Sequence, residues 1–277
     1  LQQDWQWRLR NIIMTSISSL APHSQIKVFS SRKEAHYFER IIVKNIFPDN
    51  YSTSNSLSEN LKCKNTQLSH LLKAFEKDSP SITSSVRARQ YINEWIDGSA
   101  QGRKVITITL REYNRVPERN SMLKDWGDFA RSLDTNIYFP VILRDTDKDF
   151  QPIPKELEGM TVFHRPVWNI ELRSALYELS YLNLIKDNGV GVFCFLNPRV
   201  RYLYFHSMTN SLIEYWNSAG ISYGESFAWS NEFQKIVWKE DYFSNIRQEF
   251  DVMCGKIESF VNNNKKLKNY KLEHEEN

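Results

Sequence analysis

The stretch KVITITLREYNRVPERN, residues 104–120, decides the reading of this chain. Its first half, Val105-Ile106-Thr107-Ile108-Thr109-Leu110, is an unbroken run of β-branched and apolar residues. Such a run suits a strand covered on both faces, as in a parallel sheet. The second half turns polar through Arg111, Glu112, Asn114, Arg115, Glu118, Arg119 and Asn120. In open α/β sheets ligands sit outside the carboxyl ends of the strands. Arginines released at such an end make a candidate anion-binding mouth; a solvated loop is the alternative.

Outward from this stretch the pattern alternates. A helix is expected over 121–133, with Leu123, Trp126, Phe129, Ala130 and Leu133 on one face. Strand 137–143 ends in Arg144-Asp145-Thr146-Asp147, and a short helix or turn at 154–157 precedes strand 160–163. Helix 169–180, strand 181–185, the turn Asp187-Asn188-Gly189, helix 190–196 and strand 201–205 follow. Strands alternating with helices predict right-handed crossovers and a doubly wound parallel α/β sheet. Residues 232–262 read as helices with Phe233, Ile236, Val237, Phe243, Ile246 and Phe250 as apolar contacts, and 263–277 as a charged, frayed tail.

The N-terminal third reads differently. Asp4 caps an expected amphipathic helix carrying Trp5, Leu9, Ile12, Ile13, Ile17 and Leu20, which Pro22 stops. A short strand is expected at 25–30, then a capping box of Ser31 and Glu34 opens a helix to about residue 45. His36 on that helix is a structural residue or a candidate base. Residues 49–65, rich in Ser and Asn, read as a mobile linker or lid. Helices are expected at 67–77 and 84–96, the second ended by Asp97-Gly98-Ser99. The organisation expected is a smaller, partly helical lobe over 1–98, a sheet domain over 99–262 and a tail over 263–277.

Composition narrows the classes. A net charge of +3 leaves no strong nucleic-acid footprint. Cys63, Cys194 and Cys254 are far apart, without a CxxC motif, so free thiols in a reducing, cytoplasmic compartment are expected. No apolar run approaches the roughly 20 residues of a membrane span, which leaves at most surface association with a membrane. No signal peptide is visible, and Leu1 in place of methionine suggests a truncated or processed start.

Chemistry is expected in four polar turns at the strand ends: 111–120, 144–147, His164-Arg165 and 186–191. In Asn188-Gly189-Val190-Gly191 the glycines let backbone approach a ligand, and N–H groups at a helix start favour phosphate. An ordinary Asn-Gly turn is the alternative. The loop is neither GxGxxG nor a Walker loop, which leaves dinucleotide, kinase and methyltransferase readings weak. Asp145 and Thr146 either reach a ribose or base edge or cap a helix. Asp145 and Asp147 form no convincing metal pair, and Cys and His do not cluster as a zinc site would require. Trp168, Trp216, Trp229 and Trp238 line a sugar-stacking pocket or pack a core. No GxSxG elbow exists.

These segments resemble a family. ITITLREYNRVPERNS (106–121), the W-x-x-F-A helix behind it, FPVILRDT (139–146), LRSALYELSYLNLIKDNGVGVFCFLN (172–197) and FQKIVWKEDYFSNIRQEF (233–250) look like glycosyltransferase-like proteins of bacterial surface-polysaccharide gene clusters. The likeness covers roughly 103–250 and extends, more distantly, to fucosyltransferase-type GT-B enzymes. It implies a GT-B-like donor Rossmann domain that needs no metal or cofactor. The implied substrates are a nucleotide-sugar donor and a glycan acceptor. Arg111 matches the arginine that contacts the nucleotide diphosphate, and Asn188, Gly189 and Gly191 match a phosphate-contacting loop. Val190 stands where such loops hold a small residue or proline, and no HxRxGD-like sequence surrounds Arg111. Arg119 and Asn120 would join Arg111 at the diphosphate, Asp145 and Thr146 would reach the nucleoside, and Glu112 or His36 would be the base. Residues 1–98 are short for a complete acceptor domain. A non-catalytic α/β module that holds a glycan or a protein is the alternative reading.

Overall fold

The computed structural model describes residues 27–42, 51–60, 82–114 and 116–275, with isolated positions 6, 9, 14, 25 and 46. Most of the expected first helix, the helix at 67–77, Cys63 and Arg115 lie outside the described residues. β1 (Lys104–Thr109) is the central strand, and its residues after Lys104 are all buried. β2 (Tyr138–Leu143) and β4 (Leu182–Lys186) flank it, both parallel to it. β3 (Thr161–Val162), β5 (Tyr202–Phe205) and β6 (Gln234–Val237) complete the order β3-β2-β1-β4-β5-β6, every neighbouring pair parallel. The order reverses between β1 and β4, the switch point at which such sheets bind ligands.

Alternate residues of the strands feed two cores. Val105, Val141, Ile185, Tyr202 and Ile236 face one side. There α2 (Val86–Ala100), α4 (His164–Trp168), α5 (Ile170–Leu179) and α7 (Asn210–Ala219) supply Ile92, Val167, Leu176 and Trp216. Ile106, Ile108, Leu110, Leu184 and Val237 face the other side, against Trp126 and Phe129 of α3 (Leu123–Ser132) and Ile246 and Phe250 of α8 (Phe243–Glu275). Helices on both faces are what a parallel sheet needs to be dry. The doubly wound α/β architecture expected from the alternation is therefore the fold. At Gly127 on α3 an added Cβ would lie 2.1 Å from the Glu156 carbonyl oxygen, so only glycine lets this helix meet the 155–157 turn. Polar groups on β1 are satisfied inside the core: the Thr107 hydroxyl donates to Asn183 Oδ1 at 2.5 Å and Thr109 Oγ1 lies 2.9 Å from the Tyr177 hydroxyl.

Several expectations are corrected. Residues 234–237 form edge strand β6 and not a helix, because Ile236 and Val237 alternate into the two cores while Gln234 donates to the Asn197 and Val200 carbonyls, each at 2.8 Å. α2 runs through Gly98 to Ala100 and ends on Gln101 in the left-handed region, φ 52°. α8 continues through Glu275, past the point where fraying was expected. Residues 27–29 are in no strand. Behind them α1 (Arg32–Ile42) begins with Ser31 Oγ accepting from the Glu34 N–H at 3.2 Å. Glu34 reaches back one residue further than expected, to the Ser30 N–H at 3.0 Å. Residues 51–60 fold onto α1: Thr53 donates its N–H to Glu39 at 2.9 Å. That bonding, chiefly from the Thr53 hydroxyl, pulls the Glu39 carboxyl down to about 2. Among the described residues no helix is long and apolar enough to cross a membrane.

Candidate functional site

Arg111 leaves β1 directly at the switch point. Its loop is closed by reciprocal bonds: the Arg111 N–H donates to Ser121 Oγ at 2.8 Å, and the Ser121 N–H to the Arg111 carbonyl at 2.9 Å. Asn120 closes the next rung, accepting from the Tyr113 N–H at 2.8 Å and donating to its carbonyl at 3.1 Å. Asn120 therefore shapes the loop and its amide is occupied in doing so. Across the switch point, Arg111 Nη1 donates to the Asp187 carbonyl at 3.1 Å. Asn188 Nδ2 donates to the Leu110 carbonyl at 3.3 Å. The ends of β1 and β4 are thus pinned together, with Arg111, Asn188 and Gly189 at one rim.

Arg119 arrives at the same place differently. Its Nε and Nη2 donate to Asp187 Oδ2 at 3.1 and 2.8 Å, a two-pronged ion pair. The Tyr204 hydroxyl donates to Asp187 Oδ1 at 2.6 Å. Burial opposes the Asp187 charge, but Tyr204 and Arg119 outweigh it and hold the carboxyl below its usual range. Burial, with Asp187 beside it, pushes the Tyr204 hydroxyl well above the usual tyrosine range. Arg119 is therefore engaged by a carboxylate of its own chain.

Glu112 is also engaged. Arg144 Nε and Nη2 donate to its two carboxylate oxygens at 3.0 and 2.7 Å. The Glu112 N–H donates to Asp145 Oδ2 at 2.6 Å. That bond, and a turn over 146–150 in place of a helix, removes the capping reading of Asp145. Burial raises the Asp145 carboxyl, while the Glu112 N–H, Arg173 and Arg111 pull it down less strongly. Thr146 is half-buried beside it. Both oxygens of Glu112, an expected base, are thus bonded to Arg144. His36, the other expected base, has its described contacts with Thr53, at 3.1 Å, and Glu39, and none with the rim.

The 188–191 loop is a 3-10 turn, Gly189–Gly191, followed by α6 (Val192–Phe195), a single turn in place of the longer helix expected. A helix this short contributes little dipole. Its two glycines differ. An added Cβ at Gly191 would lie 2.9 Å from Tyr204 Cε2 and 3.2 Å from Phe195 Cζ, whereas at Gly189 it meets nothing within 4 Å. Gly191→Ala is expected to cost about 1–3 kcal/mol by overpacking, and Gly189→Ala to stay within about 0.5 kcal/mol. Urea unfolding of the two variants measures both; equal costs would contradict this account.

Sequence reasoning assigned no role to five buried residues. Arg173 and Ser174 lie on α5, and both are buried. Arg173 recurs with Ile170 and Tyr177 on the apolar face of its helix, a charged residue in the wrong register, and that was the available signal. Lys186 and Asp241 form a buried ion pair at 2.7 Å. His206, at the end of β5, stacks on Trp238 with ring centres 4.6 Å apart and meets Trp216 edge-on at 4.8 Å. Burial keeps its imidazole below the usual histidine range. Trp216 and Trp238 are thus core residues, and Trp229 packs on Phe227 with its Nε1 on the Phe195 carbonyl at 2.8 Å. The four tryptophans do not line one pocket. Trp168 is partly exposed, stacked at 4.9 Å under the exposed Phe150.

The parallel order and the polar switch-point rim place the chain among Rossmann-type α/β proteins. No family model and no curated protein matches it. Among solved structures it is similar to a glycosyl transferase family 9 structure from Veillonella parvula DSM 2008, at 13% identity and a TM-score of 0.39, over 66% of this chain and 46% of that one.

Proposed function

We propose that this chain is a GT-B-like glycosyltransferase whose sheet domain binds the donor, and that it moves a sugar from a nucleotide-sugar donor to a glycan acceptor. One observation carries the reading: Arg111, at the end of the central strand, is fixed to the end of β4 through the Asp187 carbonyl, yet its buried Nε has no partner among the described residues. A guanidinium fixed at a switch point with a donor to spare suits the diphosphate of a leaving nucleotide, whose developing charge it would stabilise. The sequence resemblance over 103–250 supports the same assignment. Arg119 would act through Asp187 by holding the loop. Backbone N–H groups of Gly189 and Val190 would meet phosphate, and Thr146 would face the nucleoside. No metal or further cofactor enters the scheme, because arginines supply the positive field. The unpaired, buried Cys194 and Cys254 support a cytoplasmic setting.

Isothermal titration with a panel of nucleoside diphosphates tests this. At least one should bind, and Arg111→Ala should weaken it by about ten- to hundredfold. Wild-type protein that binds none of them would end the reading. The alternative, a non-catalytic module that holds a glycan, rests on a separate observation. Phe150, 75% exposed, stacks on Trp168, and the buried Asp149 fixes that platform by accepting from Trp168 Nε1 at 2.6 Å. In that case Phe150→Ala would abolish glycan binding and nucleotides would not bind at all.

A further inference from the structure

The ion pairs of the rim do not balance. Arg119 is paired with Asp187, Arg144 with Glu112, and Lys186 with Asp241. Arg111 and Arg173 form no ion pair among the described residues. Arg173 is 4% exposed; its Nε donates to the Pro166 carbonyl at 3.0 Å and its Nη2 has no partner. Arg111 Nε, Ser174 Oγ and Asn188 Oδ1 are also buried and unpartnered. A guanidinium buried without a carboxylate is costly, and three orphaned donors, Arg173 Nη2, Arg111 Nε and Ser174 Oγ, call for an acceptor.

Topology brings the two arginines together. Tyr177 of α5 meets Thr109 near the end of β1. Arg173 lies one turn earlier on the helix, about 6 Å towards the rim. Arg111 lies two residues beyond Thr109, about 6.6 Å in the same direction, since crossover helices run against their strands. The Cα positions of the two arginines therefore come level along the strand direction. α5 also packs against α6, the turn that follows the loop carrying Asn188. The half-buried Asp145 lies close enough to feel both arginines.

We propose that Arg111 and Arg173 form a two-guanidinium clamp for a phosphate or diphosphate group, with Ser174 donating its hydroxyl and the nearby Asp145 carboxylate as a negative charge that opposes the anion. The identity of the ligand rests on the donor reading; the clamp itself rests on the orphaned atoms. Arg119, expected from the sequence at the diphosphate, is paired with Asp187 and belongs to the wall.

Titrations at pH 8 with inorganic pyrophosphate and with nucleoside diphosphates, on the full chain, test the clamp. Wild type should bind pyrophosphate, and Arg173→Met should weaken it by about tenfold or more while keeping the folded far-UV and tryptophan signals. Arg173→Gln serves if the methionine variant does not fold. Asp145→Asn, which leaves both arginines in place, should bind more tightly than wild type. Wild-type affinity in either folded Arg173 variant overturns the clamp, as does unchanged or weaker binding by Asp145→Asn. Pyrophosphate binding that depends on Arg173, without any nucleoside diphosphate binding, would keep the clamp and remove the donor reading. Nucleoside diphosphate binding indifferent to Arg173 would do the reverse, and silence from both ligands removes both.

Discussion

Replacing Arg144 with methionine should lower the unfolding free energy by about 3–5 kcal/mol, because it strands a buried carboxylate. The Arg144 side chain is 2% exposed and that of Glu112 8%. Both prongs of the guanidinium rest on Glu112, and its remaining nitrogen donates to the Gln151 and Pro152 carbonyls at 3.0 and 3.4 Å. The variant thus loses its ion pair and also frees the loop that follows β2. The companion Glu112→Leu should be similarly costly, leaving an unpaired guanidinium. The double variant should be far less costly than the sum of the two, since an apolar pair of similar volume often replaces a buried ion pair at little loss. Urea unfolding of all four proteins measures the coupling. A single-variant cost under about 1 kcal/mol would mean that water reaches Glu112 and the pair behaves as a surface one.

The layered architecture was legible because β1 is written in residues that suit only a strand covered on both sides. Val105, Ile106 and Ile108 are apolar and β-branched, and Thr107 and Thr109 find buried partners. β6 was not legible. Gln234-Lys235-Ile236-Val237 is four residues long and sits among aromatics spaced as a helix would space them, so periodicity could not arbitrate. Its strand character comes from docking against β5, a tertiary fact. The site divides in the same way. That polar residues leave β1 at a ligand-binding rim could be read locally. Which arginine stays available could not, because the partners come from elsewhere in the chain. Arg119 finds Asp187 across 68 positions and Glu112 finds Arg144 across 32. Side chains of one chemistry were separable only after their neighbours were known.

The same logic makes Asp241 the most sensitive position near the rim. Its side chain is fully buried, and Oδ1 receives Lys186 Nζ at 2.7 Å. Oδ2 accepts from Trp126 Nε1 at 2.6 Å and from the Met122 N–H, at the start of α3, at 3.0 Å. One carboxylate therefore ties the end of β4 to the helix on the other face of the sheet. Asp241→Ala should cost about 3–5 kcal/mol for the stranded ammonium, with about 1–3 kcal/mol more for the orphaned indole and backbone donors. Asp241→Asn keeps an acceptor for those donors and should recover part of that second cost, but not the first. Lys186→Met placed on Asp241→Asn should then restore stability, because the unpaired charge is gone. Glu240 limits the loss, since its carboxylate stands 4.0 Å from Lys186 Nζ and is partly exposed. If Asp241→Asn proves as stable as wild type, Glu240 has taken over the pair, and Glu240→Gln in that background should expose the deficit. Lys186 immediately precedes Asp187, so a loosened β4 end should also disturb Arg111 and Arg119. Weaker pyrophosphate binding by Asp241→Asn, at temperatures where it remains folded, would show that the two ends of β4's polar tip are mechanically one.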